Sequence, residues 1–222
     1  MRIDDVRDVL SANDRRAAAN RERFRSWGAY VVNLMSAPGA GKTTILERTL
    51  AALAPRDRVA VVEGDVRGSY DRERLRAVAE VPVLQINTEV AYGGECHLDA
   101  VMIGNALDGV DWPGTELVLI ENVGNLVCPA EFDVGEACKV MVASVTEGED
   151  KPLKYPLMYA TSALLVLNKV DLAAAVAFDR AAFLANCRQV NPSLEIIELS
   201  ARTGEGVSSW LNWLERQMRA AR

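Results

Sequence analysis

Long apolar runs are missing from this 222-residue sequence. No hydrophobic stretch approaches the roughly 18 residues that a membrane-spanning helix requires. The first residues, MRIDDVRDVL, mix acids and bases where a signal peptide would be apolar. We therefore expect a cytoplasmic protein that does not enter a membrane. A chain that is 50% hydrophobic and 25% charged is typical of a globular protein of one large domain.

Basic residues are outnumbered by acidic ones. The sequence holds 25 lysines and arginines against 31 aspartates and glutamates, which gives a formal net charge of −6. Proteins that bind nucleic acids in general need a basic surface to displace counterions from the phosphates. The charge balance therefore argues against a nucleic-acid partner.

Cysteine and histidine are scarce, with four cysteines and one histidine in the chain. In a cytoplasmic protein such cysteines are better explained as reduced thiols, either buried or bound to metal, than as a disulfide framework. Cys138 and Cys187 lie in apolar patterns, so we expect them to pack in the core. Cys96, Cys128 and the single histidine, His97, remain as candidates for chemistry.

Short apolar runs rich in β-branched residues alternate with helical patterns along the chain. Runs that are apolar on both faces and separated by crossovers are typical of a mainly parallel sheet covered by helices. We predict an α/β fold of about seven strands in a single domain, 1–222, with 1–29 as an N-terminal helical extension. The predicted strands are YVVNLM, RVAVVEG, VPVLQI, ELVLIEN, KVMVASV, ALLVLNK and LEIIELS.

A glycine-rich segment, SAPGAGKTT, follows the first predicted strand. It fits the phosphate-loop pattern G-x-x-x-x-G-K-[ST], except that Ser36 stands at the leading glycine. In such a loop the backbone N–H groups converge on phosphates, Lys42 reaches the β/γ oxygens and Thr43 ligates Mg²⁺. A chance glycine-rich turn is the alternative, but the flanking strand and helix patterns argue against it. The predicted phosphate-binding set is Gly39, Ala40, Gly41, Lys42, Thr43 and Thr44.

The run ALLVLNKVDL ends in the N-K-x-D arrangement of guanine-specific G proteins, formed by Asn168, Lys169 and Asp171. A carboxylate at Asp171 can accept hydrogen bonds from both donors on the guanine edge, whereas adenine offers the wrong pattern. Downstream, Ser200 and Ala201 lie in a loop that presents a backbone N–H to the guanine oxygen in G proteins. Alone, NKVD could be a solvated strand end. Together with the phosphate loop and the downstream SARTG, it predicts GTP rather than ATP.

The segment ELVLIENVGN predicts the magnesium side of the nucleotide site. Glu121 ends a strand where G proteins carry an acid near Mg²⁺, and Gly124 supplies the amide that senses the γ-phosphate. Asp65, after the second strand, is a further acid for Mg²⁺ or for the attacking water, although it could be an ordinary solvated loop acid. No glutamine in this region obviously orients water, which indicates slow turnover. The predicted magnesium ligands are Thr43, Asp65 and Glu121, and the predicted catalytic residues are Lys42, Thr43 and Asp65.

Cys96 and His97 lie at the start of a helical pattern in AYGGECHLDA, and Cys128 follows the magnesium-side acid in ENVGNLVCPAEF. Thiolate and imidazole are ligands for Zn²⁺, Ni²⁺ and similar ions. A plain GTPase needs none of them. The alternative is a pair of buried thiols and a histidine that caps the helix, and spacing alone does not separate the two.

Taken together, these motifs resemble the hydrogenase nickel-incorporation accessory GTPases, a maturation branch of the P-loop GTPases. The related urease-maturation GTPases are similar in the nucleotide loops but carry a different metal motif. The resemblance covers most of the chain from residue 31 onward. It runs through SAPGAGKTT, EGD, NTEVAYGGECHLDA, LIENVGNLVCPAEFD, SVTEGEDKPLKYP, LNKVDL and LSARTGEG.

The resemblance implies a GTPase that binds Ni²⁺ or Zn²⁺ at Cys96, His97 and Cys128. It also implies a homodimer promoted by nucleotide, and nickel delivery to a [NiFe]-hydrogenase large-subunit precursor with a hydrogenase maturation partner. Many family members carry a Cys-rich or His-rich N-terminal segment, whereas residues 1–30 here hold neither residue. No separate nickel store is therefore expected in that segment.

The geometry of neighbouring ligands limits the expected metal site. Adjacent helical residues diverge by about 100°, so Cys96 and His97 share an ion easily only at a helix boundary. Ligands drawn from two subunits, such as Cys96 and Cys128, are another solution. We predict a switch in which GTP orders the segment from Glu121 to Cys128 and so alters the metal site. The alternatives are a regulatory GTPase that acts through partner binding, with a structural zinc site, and a small-molecule kinase, which NKVD and SARTG disfavour.

Overall fold

The computed structural model describes residues 3–89 and 94–221, with side chains from residue 11 onward. Residues 90–93, in the predicted metal-binding segment, and residues 1, 2 and 222 lie outside this description. The strands are β1 (Tyr30–Ser36), β2 (Val59–Asp65), β3 (Val83–Asn87), β4 (Leu117–Glu121), β5 (Cys138–Ser144), β6 (Leu164–Asn168) and β7 (Glu195–Glu198).

Helices cover both faces of the strands, and none within the described ranges is long and apolar enough to cross a bilayer. They are α1 (Ile3–Trp27), α2 (Lys42–Leu53), α3 (Tyr70–Val78), α4 (Ala100–Leu107), α5 (Cys128–Glu131), α6 (Lys151–Lys154), α7 (Pro156–Ala160), α8 (Arg180–Val190) and α9 (Val207–Ala220). Short 3-10 turns span Val145–Glu147 and Val170–Leu172.

The strands form one sheet in the order β3-β2-β4-β1-β5-β6-β7, and each neighbouring pair is parallel. Strands β4 and β6 are buried along their whole length, which explains their continuous apolar sequences. This sheet confirms the predicted α/β fold of about seven strands. Because all carboxyl ends meet at one edge, the loops after β1, β2, β4 and β6 converge there.

Apolar side chains fill the space between the sheet and its helices. On one face, α2 and α9 pack against the sheet, and Trp210 and Trp213 of α9 stack with ring centroids 5.7 Å apart. The Trp210 indole N–H donates to Thr49 Oγ1 of α2 at 2.8 Å, so its polar atom is satisfied inside the core. The segment after Gly206 is therefore the closing helix of the fold.

Helix α1 lies against α4 on the other face of the sheet, with Phe24 and Trp27 buried in the core there. Two of its asparagines, Asn13 and Asn20, are each only 3% exposed. Asn20 Nδ2 donates to the Ala100 carbonyl at 2.9 Å and to the Val134 carbonyl at 3.1 Å. The predicted N-terminal extension is thus held to the rest of the protein by buried polar contacts as well as apolar ones.

Candidate nucleotide and metal site

The converging loops surround a cavity of about 560 Å³ at the carboxyl edge of the sheet. Such an edge is where ligands bind in parallel α/β sheets. Most of the residues predicted for phosphate and magnesium binding line it. The lining residues are Pro38, Gly39, Gly41, Lys42, Thr43, Thr44, Gly64, Asp65, Val66, Asp71, Arg74, Glu121, Asn122, Val123, Gly124 and Lys169.

The phosphate loop connects β1 to the first turn of α2. Gly41 caps this helix with φ 102°, a conformation that favours glycine, and an added Cβ there would lie 2.5 Å from Asn168 Nδ2. No acidic residue occupies the first turn of α2. The free N–H groups and the partial positive charge of this helix end therefore face the cavity, as phosphate binding requires.

Ser36 gives a physical account of the departure at the first position of the loop. Its hydroxyl accepts a hydrogen bond from Lys42 Nζ at 2.8 Å and donates to the Ala37 carbonyl at 2.6 Å. Lys42 is 8% exposed, and burial lowers the pKa of its ammonium, an effect that Glu121 opposes. The serine side chain thus holds the loop lysine, which a glycine could not do.

The magnesium side joins α2 to the end of β4. Thr43 Oγ1 donates to Glu121 Oε1 at 2.8 Å, while the buried Glu121 Oε2 has no hydrogen-bond partner within the described residues. Burial raises the pKa of Glu121 to about 7, and Lys42 opposes this rise. An unpaired carboxylate oxygen beside a hydroxyl, next to a phosphate loop, provides the oxygen ligands that Mg²⁺ prefers. The residues present therefore fit the ion.

Asp65 ends β2 and belongs to a cluster of carboxylates that sequence reasoning largely missed. One oxygen from each of Glu63, Asp65 and Asp71 lies within 4.8 Å of the others. Glu63 is 1% exposed and pairs in register with Glu121 on β4. Burial, followed by the charges of Glu121 and Asp65, raises the pKa of Glu63 to about 8. An acid inside the apolar run RVAVVEG was the available signal.

The NKVD segment fastens the phosphate loop to the SARTG loop. Asn168 Nδ2 donates to the Ala40 carbonyl at 2.8 Å, and its Oδ1 accepts from the Ala201 N–H at 3.0 Å. Lys169, in a left-handed conformation, donates from Nζ to the Gly39 carbonyl at 2.7 Å. Asp171 lies exposed in the following 3-10 turn. The structure therefore brings this segment to the nucleotide cavity and leaves the Asp171 carboxylate accessible.

The loop predicted to reach the guanine oxygen has its amides engaged. The Ala201 N–H donates to Asn168, and the Ser200 N–H donates to the Glu205 carbonyl at 2.9 Å. Ser200 Oγ in turn accepts from the Thr203 N–H at 3.1 Å. These contacts shape the loop, so a guanine oxygen at this position has to share or replace one of them.

Cys96, His97 and Cys128 come together within one chain. One ligand atom from each lies within 4.8 Å of the others, and the two sulfurs are 3.3 Å apart. The helix after this segment begins only at Ala100, with Asp99 accepting from the Met102 N–H as its cap. The expected position of Cys96 and His97 at the helix start was thus wrong by a few residues. Because both precede the helix, the 100° divergence does not separate them, and a second subunit is not needed to gather three ligands.

His97 is buried, and its ring has no polar partner among the described residues. It is 8% exposed and stacks on Phe132 with centroids 4.3 Å apart, and neither ring nitrogen has a hydrogen bond to any described residue. Burial lowers the pKa of His97, which favours the neutral imidazole. Since Asp99 caps α4, the histidine is not a cap. Buried polar atoms are rarely left unpaired, so two free nitrogens beside two thiols indicate a ligand.

Cys128 starts α5, and the Asn125 side chain accepts the backbone N–H of Val127 at 2.7 Å and of Cys128 at 3.3 Å. Burial, then the neighbouring Cys96 thiol, raises the pKa of Cys128 to about 11. A divalent ion reverses such a preference because a coordinating thiol loses its proton. The other two cysteines are elsewhere: Cys187 is fully buried, and Cys138 accepts a hydrogen bond from the Tyr30 hydroxyl at 3.3 Å.

Comparison with known proteins identifies the family of this chain. Residues 30–198 match the family model described as CobW/HypB/UreG, nucleotide-binding domain. The hydrogenase maturation factor HypB of Azotobacter vinelandii is 53% identical over 210 residues, covering 95% of this chain and 68% of that protein. The chain belongs to the HypB family of hydrogenase maturation factors. The predicted resemblance is thereby confirmed.

Solved structures of HypB proteins have the same fold. HypB of Archaeoglobus fulgidus aligns with a TM-score of 0.85 at 40% identity, covering 94% of this chain and 100% of that one. HypB of Helicobacter pylori, solved in complex with nickel, aligns with a TM-score of 0.87 at 34% identity, covering 94% and 96% of the two chains. The sheet and its helices are therefore those of the HypB family of P-loop GTPases.

Proposed function

We propose that the protein is a GTP-hydrolysing metallochaperone that binds Ni²⁺ or Zn²⁺ and assists nickel insertion into a [NiFe]-hydrogenase precursor. The observation that carries this proposal is the gathering of Cys96, His97 and Cys128 beside the nucleotide cavity. The nickel complex of the Helicobacter pylori relative supports it. We further propose that it works in the cytoplasm as a homodimer promoted by GTP, with a hydrogenase maturation partner and the large-subunit precursor.

The nucleotide chemistry follows from the residues around the cavity. Lys42 neutralises charge on the β/γ oxygens, while Thr43 and Glu121 hold Mg²⁺ with help from Asp65. When bound, the ion would supply positive charge that offsets the negative charge developing on the phosphates during transfer. Asp65, which lines the cavity, also orients the attacking water in this proposal. Asp171 selects guanine because its carboxylate accepts from both donors on the guanine edge, which adenine does not present.

The bound nucleotide affects the metal site through the loop after β4. An added Cβ on Gly124 would lie 2.9 Å from Pro38 Cα, so this glycine is held directly against the phosphate loop. Cys128 follows a few residues later in the same loop. A γ-phosphate that draws the Gly124 amide inward therefore has to move the backbone that carries Cys128.

The alternative, a regulatory GTPase with a structural zinc site, makes a different prediction about coordination. Structural zinc sites are closed by four protein ligands, whereas only three candidate ligands gather here within the part of the chain that the structure describes. A site with an open position suits an ion that has to be passed on.

The test is a calorimetric titration of Ni²⁺ and Zn²⁺ into protein saturated with GDP or with a non-hydrolysable GTP analogue, with sedimentation at matched concentrations. We expect affinities that differ by about 5- to 150-fold between nucleotide states, since coupling free energies are typically about 1–3 kcal/mol. Cys138→Ser, outside the site, is the matched control and should titrate like the native protein. Equal metal affinities and an unchanged monomer–dimer balance would favour the structural-zinc alternative.

A further inference from the structure

A buried asparagine interrupts the most central strand of the sheet. β1 runs YVVNLMS, and Asn33 in its middle is 0% exposed. An amide placed among apolar neighbours is unfavourable unless it is hydrogen-bonded. Asn33 Oδ1 accepts from Asn122 Nδ2 at 3.3 Å, and Asn122 is itself 1% exposed. Neither side chain has a part in the nucleotide or metal chemistry described above.

Asn122 joins three parts of the molecule. It follows Glu121 directly in the chain, and its backbone N–H donates to the Leu34 carbonyl of β1 at 3.0 Å. Its side-chain Oδ1 accepts from the Leu98 N–H at 2.9 Å. Leu98 is the residue after His97, so one side chain connects the magnesium-side acid to the segment that carries two metal ligands.

Leu98 is also fixed against the end of β2. It is 0% exposed, and an added Cβ on Gly64 would lie 2.5 Å from Leu98 Cδ1. Gly64 precedes Asp65, so the strand that carries the carboxylate cluster touches the same residue that Asn122 holds. The backbone beside His97 therefore packs against Gly64 and Asn122, two residues that line the nucleotide cavity.

Helix α1 contacts the two segments that carry the candidate metal ligands, on the side away from the nucleotide cavity. Asn13 accepts from the Ala100 N–H at 2.9 Å and donates to the Asp133 carbonyl at 2.8 Å. Asn20 bonds to the Ala100 and Val134 carbonyls. These contacts lie beyond the ligands in each segment and do not involve the cavity. These contacts therefore support the two segments on the side away from the cavity.

We propose that Asn122 is a positioning residue that transmits nucleotide state to Cys96 and His97, with Asn33 fixing the orientation of its amide. This arm is separate from the Gly124–Cys128 loop and rests on the metal–nucleotide linkage proposed above. Only an amide serves both contacts, because it donates to Asn33 and accepts from Leu98, whereas a carboxylate cannot donate. Nucleotide state then moves two of the three ligands through Asn122 and the third through the loop.

The test compares metal affinity in the GDP state and in the GTP-analogue state, with protein saturated by each nucleotide, for native protein, Asn122→Ala and Asn20→Ala. We expect Asn122→Ala to reduce the ratio of the two affinities by about 2- to 30-fold, the range for substitutions within a coupled network. Asn20→Ala removes a buried asparagine that touches the same segments from outside. It should change both affinities together and keep their ratio.

Backbone hydrogen exchange at Leu98 provides a readout that a purely structural role would not move. We expect the protection of this amide to depend on nucleotide in the native protein and in Asn20→Ala, and to lose that dependence in Asn33→Ala, which keeps the hydrogen bond from the Leu98 N–H to Asn122. If Asn122→Ala does not fold, Asn33→Ala removes only the remote partner and should lower the ratio in the same direction. If the Asn122 or Asn33 variant keeps the native ratio of metal affinities, this proposal is wrong and the proposed linkage stands. If the native protein binds metal equally well in both nucleotide states, the proposed linkage is wrong, and this proposal with it.

Discussion

Two side chains at the cavity make contacts that their positions in the sequence motifs do not predict. Ser36 occupies the place of a glycine, yet its hydroxyl holds Lys42 at 2.8 Å. Glu121, at the end of β4, accepts a hydrogen bond from the Thr43 hydroxyl at 2.8 Å. Both side chains therefore have a local partner, and the serine at the leading position of the loop does not weaken the case for a nucleotide site.

Base selection depends on the carboxylate of Asp171. Asp171→Asn exchanges an acceptor for an amide donor, which suits the C2 oxygen of xanthine and no longer suits the guanine amino group. We expect weaker GTP binding and a gain for xanthosine triphosphate, measured by competition against a fluorescent nucleotide. Glu205→Gln removes an exposed acid from the neighbouring loop and should bind nucleotides as the native protein does. Unchanged discrimination in Asp171→Asn would remove it as the guanine reader.

The buried Glu63 carboxyl makes stability depend on pH when nucleotide and metal are absent. Its pKa rises from 4.5 to about 8 because of burial and the nearby acids, so folding favours the protonated form. Ionisation of Glu63 therefore destabilises the folded protein. This effect starts above pH 4.5, the pKa of the group in the unfolded chain, and is complete above about pH 8. Between these values the free energy of unfolding should fall by up to about 1.4 kcal/mol per pH unit through this group.

Glu63→Gln should remove that contribution, which urea denaturation from pH 5 to pH 8 measures. We expect the variant to lose less stability over this range than the native protein. Glu73→Gln, an acid of α3 outside the carboxylate cluster, provides the comparison. If the free energy of unfolding falls equally with pH in the native protein and in Glu63→Gln, the raised pKa assigned to Glu63 is wrong.

At the level of elements, α1 is more than an appendage of the sheet. Its pattern of arginine, alanine and aspartate predicts a helix, and the structure has one from Ile3 to Trp27. Its buried asparagines bond to the segments that carry the metal ligands, near Ala100 and Asp133. Helix α1 therefore supports the outer side of the proposed metal site, and none of its described side chains belongs to the candidate ligand set.

Asn13→Ala should lower the free energy of unfolding by about 1–3 kcal/mol, because it leaves buried backbone groups at Ala100 and Asp133 without partners. Urea denaturation of the nucleotide-free protein measures the change. Arg15→Ala, exposed on the same helix, is the matched control and should fall within about 0.5 kcal/mol of native. An Asn13 variant as stable as this control would show that the contacts contribute little.

The elements themselves could be predicted because each is specified locally. Strands apolar on both faces, such as β4 and β6, indicate a covered parallel sheet. The phosphate-loop and NKVD motifs mark where two of its strands end. The strand order depends on pairings between distant segments, which no local pattern encodes. Sequence reasoning found Cys96, His97 and Cys128 but not their gathering in one chain, since that depends on contacts between distant segments. Asp71 and Arg74 were missed because isolated charges carry no motif, and Glu63 was missed although it stands out as an acid inside an apolar strand pattern.

At the scale of the molecule, the nucleotide cavity and the proposed metal ligands lie at one edge of the sheet and share none of the described residues. The cavity is formed by loops after β1, β2, β4 and β6, whereas the ligands lie just beyond it, before α4 and at the start of α5. Hydrolysis and metal binding should therefore be separable by mutation, even where they are linked in affinity.

Two substitutions test this separation. Lys42→Ala removes the charge at the β/γ oxygens and should abolish hydrolysis, while metal bound to the GDP-loaded protein stays at the native stoichiometry. Cys128→Ala should lose most Ni²⁺ and Zn²⁺ binding yet keep metal-free GTP turnover within a few-fold of native, because it touches no group around the phosphates. Phosphate release and equilibrium dialysis measure the two activities, and Arg56→Ala, at the far end of α2, should change neither. Normal Ni²⁺ and Zn²⁺ binding by Cys128→Ala would refute the assigned ligand set, and hydrolysis by Lys42→Ala at the native rate would refute the assigned phosphate site.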